Sequence, residues 1–267
     1  MVGEVLVQRE DLTKPRGLSK SELGQFDLCQ SKAWFAIHDP RPFVTNEKVE
    51  FGSALDAGVE VVVKYLSSGQ PLDMTRAHAA VLEVVDRHGL VDLAEVKVAL
   101  ASFVDEVVPR YDWTRAVTQS SITTDLEGLG TCNGHPDIIL GDGSIFDLKT
   151  SSKSKDVPSV ELGFYALLVE ATGRPVPRVG YLNYVRLKKP VWYLPEVPVT
   201  DELRRWAYEN AAAYVRAKKA DTILNAKAAS PGNYTMAGGA KFASLCLDCP
   251  YNPANGGPCA LVRREAA

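Results

Sequence analysis

The sequence has 267 residues, 46% of them hydrophobic and 24% charged, with a formal net charge of −3. This composition is typical of a globular protein and argues against collagen, a coiled-coil rod and a largely disordered chain. Glu4 and Gln8 break the apolar run at the start, so we expect no signal peptide. No stretch of about 18 apolar residues occurs, so we expect no membrane-spanning helix. The slight negative charge argues against a surface coated with basic groups but leaves local basic grooves open.

The N-terminal half is predicted to be mainly helical. Ser19 and Glu22 form a possible capping box at the start of a helix. Apolar residues then recur at helical spacing until Pro40 ends the pattern. Further helical patterns follow, with breaks near Gly89 and Pro109. The predicted helices cover residues 20–38, 52–66 and 74–118.

Strand patterns begin after residue 118. Residues 120–140 are rich in Ile and Thr, and Asp142-Gly143 is a typical hairpin turn. A long helix is predicted from Thr200-Asp201 to Ala229, and the tail from Ser230 is rich in glycine, proline and cysteine. The other predicted elements are strands at 120–140, 144–150, 179–187 and 191–197 and a helix at 160–171. Helices packed on a central sheet predict an α/β or α+β domain.

Two aspartates flank the predicted turn at matching distances. Asp137 precedes and Asp147 follows the turn near Asp142, so we expect the two to lie opposite each other on neighbouring strands. Since side chains alternate along a strand, Lys149 shares a face with Asp147 while Leu148 points into the core. Two carboxylates and one ammonium on one patch suit metal-assisted hydrolysis of phosphodiesters. The alternative is a solvated strand face with a weak surface pair between Asp147 and Lys149.

At these residues the sequence resembles the PD-(D/E)xK nuclease superfamily. The likeness is greatest to its RecB-type branch, which includes the compact iron–sulphur exonucleases associated with CRISPR adaptation and their phage relatives. It covers most of the chain and follows the family's motif order. The matching segments are Leu18-Ser-Lys-Ser-Glu-Leu23 with Cys29-Gln-Ser-Lys-Ala-Trp34, Gly52-Ser-Ala-Leu-Asp56, Gly134-His-Pro-Asp137, Asp147-Leu-Lys149, Glu161-Leu-Gly-Phe-Tyr165, and Cys246-x-x-Cys249 with Cys259.

The resemblance implies a restriction-endonuclease-like mixed central sheet flanked by helices, which cleaves DNA with magnesium or manganese. Asp137 and Asp147 would then ligate the metal, with the Leu148 carbonyl as a further ligand. Lys149 would be the catalytic lysine. The resemblance also implies one nuclease domain over residues 1–267, with a helical insertion at 53–118 and a cluster-binding tail at 230–267 packed against the 20–38 helix.

Two positions depart from the family's pattern. Asp56 stands where the family usually has a metal-binding histidine. A carboxylate also binds magnesium, so Asp56 is a candidate ligand, with Glu60 one turn on as an alternative. Two other interpretations are that the exchange weakens the activity and that Asp56 is simply an exposed acid on a helix. Glu161 replaces the usual glutamine and shares a helix face with Tyr165, which in the family borders the active site and approaches DNA. Tyr165 could otherwise be the edge of the core.

Five cysteines are present, three of them close together in the C-terminal tail. An odd number without a signal peptide is untypical of a disulfide framework, so we expect a reducing, cytoplasmic location and metal binding by the clustered thiols. Four thiolates suit a [4Fe–4S] cluster or a Zn²⁺ ion, and spacing does not separate the two. Free buried cysteine is the alternative, and Cys132 is expected to be a core residue. The resemblance implies an iron–sulphur cluster on Cys29, Cys246, Cys249 and Cys259, although the gap before Cys259 is longer than usual.

Basic residues lie next to the candidate site. Lys153 and Lys155 follow the strand of Asp147 directly and are candidates for contacts to DNA phosphates. The resemblance alone implies single-stranded ends as the substrate. The resemblance therefore implies a metal-dependent DNA exonuclease with an iron–sulphur cluster. The alternative is a catalytically weak or inactive DNA-binding or assembly protein with the nuclease fold, with protein partners in recombination or CRISPR adaptation.

Overall fold

A computed structural model describes residues 17–29, 32–33, 35–36, 45–153 and 155–219. Within these ranges the helices are α1 (Lys20–Leu28), α2 (Glu47–Ser67), α3 (Met74–His88), α4 (Leu93–Ser102), α5 (Val160–Ala171) and α6 (Asp201–Lys219), with a π-helical turn (Phe103–Val107) and a 3₁₀ turn (Val108–Arg110) after α4. The strands are β1 (Leu18–Ser19), β2 (Val117–Thr118), β3 (Ile122–Leu126), β4 (Gly130–Gly134), β5 (Ile138–Ile139), β6 (Ile145–Ser151), β7 (Arg178–Val185), β8 (Val191–Tyr193) and β9 (Glu196–Pro198).

The larger sheet is mixed and has β6 and β7 at its centre. Its strand order is β2-β5-β6-β7-β8, and β9 pairs with the other half of the β7 edge. β6 and β7 run parallel and are joined through α5, whereas β5 and β8 lie antiparallel to their neighbours. A smaller sheet has the order β1-β4-β3. This arrangement confirms the predicted α/β fold with a helical N-terminal half and a central mixed sheet.

The two faces of β6 belong to two different hydrophobic clusters. Phe146 and Leu148 pack in a cluster with α2, α3, α4 and the π-helical turn. Ile145 packs in the other cluster with residues of α1, α5 and α6. Because side chains alternate along a strand, Asp147 and Lys149 lie on the same face as Ile145, towards α1 and α5.

Several element boundaries differ from the sequence prediction. The single helix predicted over residues 20–38 is wrong, since α1 ends at Leu28 and Cys29 takes an extended backbone with φ −161°. α2 begins at Glu47 rather than at residue 52, because the Asn46 side chain caps it by accepting from Val49 N–H. The predicted break at Gly89 is confirmed, with φ +65° at the end of α3. The long helix begins at Asp201 as predicted, whereas its predicted end at Ala229 and the tail from residue 230 lie outside the described residues.

None of the helices in the described ranges combines the length and the apolar character needed to cross a bilayer.

Candidate active site

A tight hairpin brings Asp137 and Asp147 together. β5 pairs antiparallel with β6 in the register that puts these two aspartates level with each other. The Asp142 side chain closes the turn by accepting a backbone N–H at 2.8 Å, and Gly143 adopts φ +94°, a conformation that glycine tolerates best. The hairpin predicted from the sequence is therefore confirmed.

Backbone groups hold Asp137 in place. Its Oδ2 accepts a hydrogen bond from Leu148 N–H at 2.7 Å, and its carbonyl accepts one from Gln119 N–H at 3.0 Å. Burial and the neighbouring Asp147 raise the pKa of Asp137 above its usual value, against the opposing effect of Lys149. A carboxylate in this environment is stabilised by a cation placed beside it.

Asp147 is the buried centre of the site, with 1% of its side chain exposed. Lys20 Nζ donates to its Oδ1 at 3.3 Å, and the Lys149 ammonium contacts its Oδ2. Burial by itself raises the pKa of Asp147, but the two ammoniums hold it below its usual value. Among the described residues no donor makes a well-directed hydrogen bond to Oδ2, and Lys149 Nζ donates instead to the Leu148 carbonyl at 3.2 Å.

Asp56 reaches the same cluster from α2, because a glycine lets that helix approach the sheet. A Cβ at Gly52 would lie 2.9 Å from Thr150 Oγ1, so a larger residue would force either the Thr150 side chain or α2 to move. One turn later, Asp56 Oδ2 accepts a hydrogen bond from Gln119 Nε2 at 2.7 Å. Burial and the neighbouring carboxylates raise the pKa of Asp56 to about 6. Glu60, the alternative ligand, pairs with Lys64 at 2.5 Å.

Glu161 and Tyr165 lie on the face of α5 that meets α1. Tyr165 is 3% exposed, and its hydroxyl donates to the His135 carbonyl at 2.8 Å. Glu161 packs against Gly24 of α1, where a Cβ would collide with its carboxylate. In this arrangement Tyr165 supports the backbone beside Asp137, and the predicted DNA contacts of both residues stay predictions.

The two lysines that follow β6 occupy an exposed loop. The Lys155 ammonium pairs with Glu161 at 3.2 Å and has 44% of its side chain exposed, while its backbone N–H donates to Asn183 Oδ1 at 3.0 Å. Lys153 is exposed, and its carbonyl accepts a hydrogen bond from Ser151 Oγ. Both side chains are therefore accessible from solvent at the end of the strand that carries Asp147.

Two of the five cysteines lie in the described part of the chain. Cys29 follows α1 directly, and its Sγ accepts a hydrogen bond from Lys32 N–H at 3.3 Å. Cys132 is fully buried in β4, and burial raises the pKa of its thiol to about 11; the prediction that it is a core residue is confirmed. Cys246, Cys249 and Cys259 lie outside the described residues.

Sequence reasoning does not single out Lys20 or Gln119 as site residues. Lys20 is 127 positions from Asp147, and a contact over that distance leaves no local pattern. Gln119 has φ +49°, a left-handed conformation that residues other than glycine adopt mainly where the surroundings enforce it. The one sequence signal near Lys20 is its position directly after the cap of α1, within the motif that resembles the nucleases.

The donor set fits a hard divalent cation. Mg²⁺ prefers carboxylate oxygens, keeps several waters and needs only one or two carboxylates from the protein. Asp137 and Asp147 supply two such groups, level with each other across adjacent strands. Across the described ranges no three His, Cys, Asp or Glu side chains are grouped as ligands of one ion. The two adjacent carboxylates suit an ion that keeps several of its waters.

The variant Asp137→Asn is expected to make the metal-free protein more stable at neutral and alkaline pH. Burial and Asp147 disfavour the ionised Asp137 carboxyl in the folded state, whereas an asparagine oxygen can still accept from Leu148 N–H. In acid the carboxyl is protonated in both folded and unfolded chains. The gain should therefore be absent below about pH 4 and grow as the pH rises, to about 1–2 kcal/mol.

Thermal unfolding in metal-free buffer at several pH values measures this gain. Asp86→Asn, an exposed acid of α3, is the matched control and should leave the melting temperature unchanged throughout. An Asp137→Asn protein that is no more stable than wild type at pH 8 would contradict the electrostatic account of the site.

Comparisons with known proteins give a fold and no family. Neither a scan against family models nor a search of curated proteins finds a match. The crystal structure of a "putative exonuclease" from Eubacterium rectale matches with a TM-score of 0.54 and 13% sequence identity, over 84% of this chain and 88% of that chain. The crystal structure of SSO0001 matches with a TM-score of only 0.27 and 15% identity, over 70% of this chain and 84% of its own. At this identity the first match shows a shared fold, and the second carries no argument.

Proposed function

We propose that the protein is a divalent-metal-dependent nuclease that hydrolyses phosphodiester bonds in DNA. The observation that carries the proposal is the patch of Asp137, Asp147 and Lys149 on one hairpin, with Asp56 beside it. The fold shared with the Eubacterium rectale protein supports the same class of enzyme. We place the activity in the reducing cytoplasm, where the cysteines of the tail stay available as ligands.

Each residue of the patch has a chemical role in this proposal. Asp137 and Asp147 would hold Mg²⁺ or Mn²⁺, with the Leu148 carbonyl and Asp56 as further ligands. The ion would supply charge stabilisation at the phosphate and would lower the pKa of an attacking water. Water oxygen bonds to phosphorus and one of its protons passes to solvent. The departing sugar oxygen leaves with the electron pair of its bond to phosphorus and takes up a proton from solvent.

In this scheme Lys149 acts as a hydrogen-bond donor to the phosphate group under attack. Its ammonium is already paired with Asp147 and directed at the Leu148 carbonyl, so it is held at the carboxylate patch. A fixed ammonium at this point stabilises the additional negative charge that the phosphate carries in the transition state. Lys153 and Lys155, exposed just beyond β6, bind the phosphates of the neighbouring nucleotides.

The substrate proposed for this site is the end of a single DNA strand. Purified protein with Mn²⁺ should shorten end-labelled linear single strands and leave a circular single strand intact. Digestion of the circle would identify an endonuclease instead. Equal cleavage by wild type and by Asp147→Ala would contradict the nuclease proposal itself.

A DNA-binding protein that has the nuclease fold but no catalysis is the second candidate. The observation that favours it is the pairing of both Asp147 oxygens with lysines, together with Asp56 at the position of the family's histidine. This candidate predicts retention of labelled DNA in a binding assay and no cleavage with Mg²⁺, Mn²⁺, Co²⁺ or Ca²⁺. Metal-dependent cleavage that is lost in Asp147→Ala would exclude it.

We further propose that Cys29, Cys246, Cys249 and Cys259 hold a [4Fe–4S] cluster, with Zn²⁺ as the alternative. Anaerobically purified protein should then contain about four iron and four sulphide per chain and absorb broadly near 400 nm. Cys29→Ala should lose most of the iron, whereas Cys132→Ala, a matched change at a buried core cysteine, should keep it. Stoichiometric zinc without iron would support the alternative, and wild-type metal content in Cys29→Ala would contradict both.

A further inference from the structure

The ammonium of Lys20 lies inside the carboxylate site. Lys20 occupies the first turn of α1, and its Nζ donates to Asp147 Oδ1 at 3.3 Å. The backbone that carries it is fixed on both sides. Ser19 and Glu22 form a complete capping box, and β1, immediately before the helix, pairs with β4. The position of the ammonium is therefore set by the fold and not by a mobile surface chain.

The surroundings of this ammonium are those of a cation site. Only 15% of the Lys20 side chain is exposed, and its Nζ lies 5.2 Å from the centre of the Tyr165 ring. Burial by itself lowers the pKa of Lys20, but Asp147 and the other nearby carboxylates raise it above its usual value. Aromatic and carboxylate groups together stabilise a positive charge at this point.

Lys20 and a divalent ion would therefore be held by the same negative charge. Lys149 sits two residues from Asp147 on the same strand and is also bonded to the Leu148 carbonyl, whereas Lys20 comes from a separate element. We propose that Lys20 acts on the active site through Asp147. Its ammonium neutralises this carboxylate in the metal-free protein, and it weakens binding of the divalent ion because the two cations compete for the same carboxylate. This inference rests on the proposed metal site.

The sign of the effect separates this role from a structural one. Loss of a merely structural contact would loosen the site and weaken metal binding. Loss of a competing positive charge 3.3 Å from Asp147 would strengthen metal binding. We expect Lys20→Gln and Lys20→Met to bind Mn²⁺ at least about fivefold more tightly than wild type, since like charges repel in a partly buried site. Lys20→Arg keeps the charge and should bind as wild type does.

Mn²⁺ binding to DNA-free protein, followed by electron paramagnetic resonance of the free ion, measures the affinity. Only the binding that disappears in Asp147→Asn is assigned to this site. Lys218→Met is the matched control. Lys218 also forms an ion pair with α1, in which its Nζ lies 3.3 Å from Glu22 Oε1, but its side chain is on the surface. Circular dichroism and thermal unfolding establish whether each variant is folded. If Lys20→Met does not fold, Lys20→Gln replaces it, because glutamine keeps a hydrogen-bond donor.

Unchanged or weaker Mn²⁺ binding in folded Lys20→Gln would overturn the inference, as would the absence of any Asp147-dependent binding in wild type. Tighter binding in a protein that cleaves no DNA would support the role of Lys20 and contradict the proposed function. The two proposals therefore fail separately.

Discussion

Lys149→Met is expected to lower the single-turnover rate of DNA cleavage by at least about 100-fold, because one fixed donor at a developing charge contributes on that scale. Methionine has nearly the same length but no charge, so the apolar contacts of the side chain along β6 are kept. Asp147 retains Lys20 as a partner, and the buried carboxylate is not left unpaired. Rates are measured at saturating Mn²⁺ and excess enzyme, so that binding and product release do not limit them.

The control for this variant is Lys48→Met, which removes an exposed lysine from the first turn of α2. It should cleave at the wild-type rate. If Lys149→Met also cleaves at the wild-type rate while remaining folded, the ammonium has no part in the chemistry, and the proposed role of the Asp147–Lys149 pair is wrong.

Phe103→Ala is expected to lower the free energy of unfolding by about 3–5 kcal/mol, the usual cost of truncating a buried phenylalanine. Phe103 is fully buried at the junction of the helices with the sheet. Its ring lies 5.8 Å from that of Trp113 and 5.5 Å from that of Trp192, centre to centre. Its removal would leave a cavity between two large rings that small shifts do not fill. Urea unfolding followed by tryptophan fluorescence measures the loss.

Val98→Ala is the matched change on the exposed side of α4, where 63% of the valine is accessible. It should alter the free energy of unfolding by no more than about 0.5 kcal/mol. A loss for Phe103→Ala that is as small as this would mean that the cluster around it repacks, and that the helices are not held to the sheet mainly through this contact.

Local sequence patterns predict the parts of the fold that depend on near neighbours. The β5–β6 hairpin follows from a turn sequence flanked by alternating residues, and the end of α3 follows from Gly89. The predicted strand at 191–197 is interrupted, since β8 and β9 pair with different halves of β7. Pairing with the preceding strand β7 decides that interruption, and periodicity within the segment does not report it.

The candidate site also has one part that the local sequence predicts and another part that it does not. Asp137, Asp147 and Lys149 can be placed on one patch from the sequence, because only nine residues and one turn separate the two aspartates. Lys20 and Gln119 cannot, because each reaches an aspartate on another element. Their contacts depend on how α1 docks and on an unusual backbone conformation, and neither is encoded in a short stretch of sequence.

The alternation along β6 ties the chemistry of the protein to its stability. A shift of this strand by one residue against its neighbours would turn Asp147 and Lys149 into the cluster that holds Phe146 and Leu148, and would turn those two apolar side chains towards α1 and α5. Such a misaligned form would bury two charges in an apolar layer and would be too unstable to accumulate. Every folded molecule therefore presents the same carboxylate patch, and a preparation should contain no folded population that differs in strand alignment.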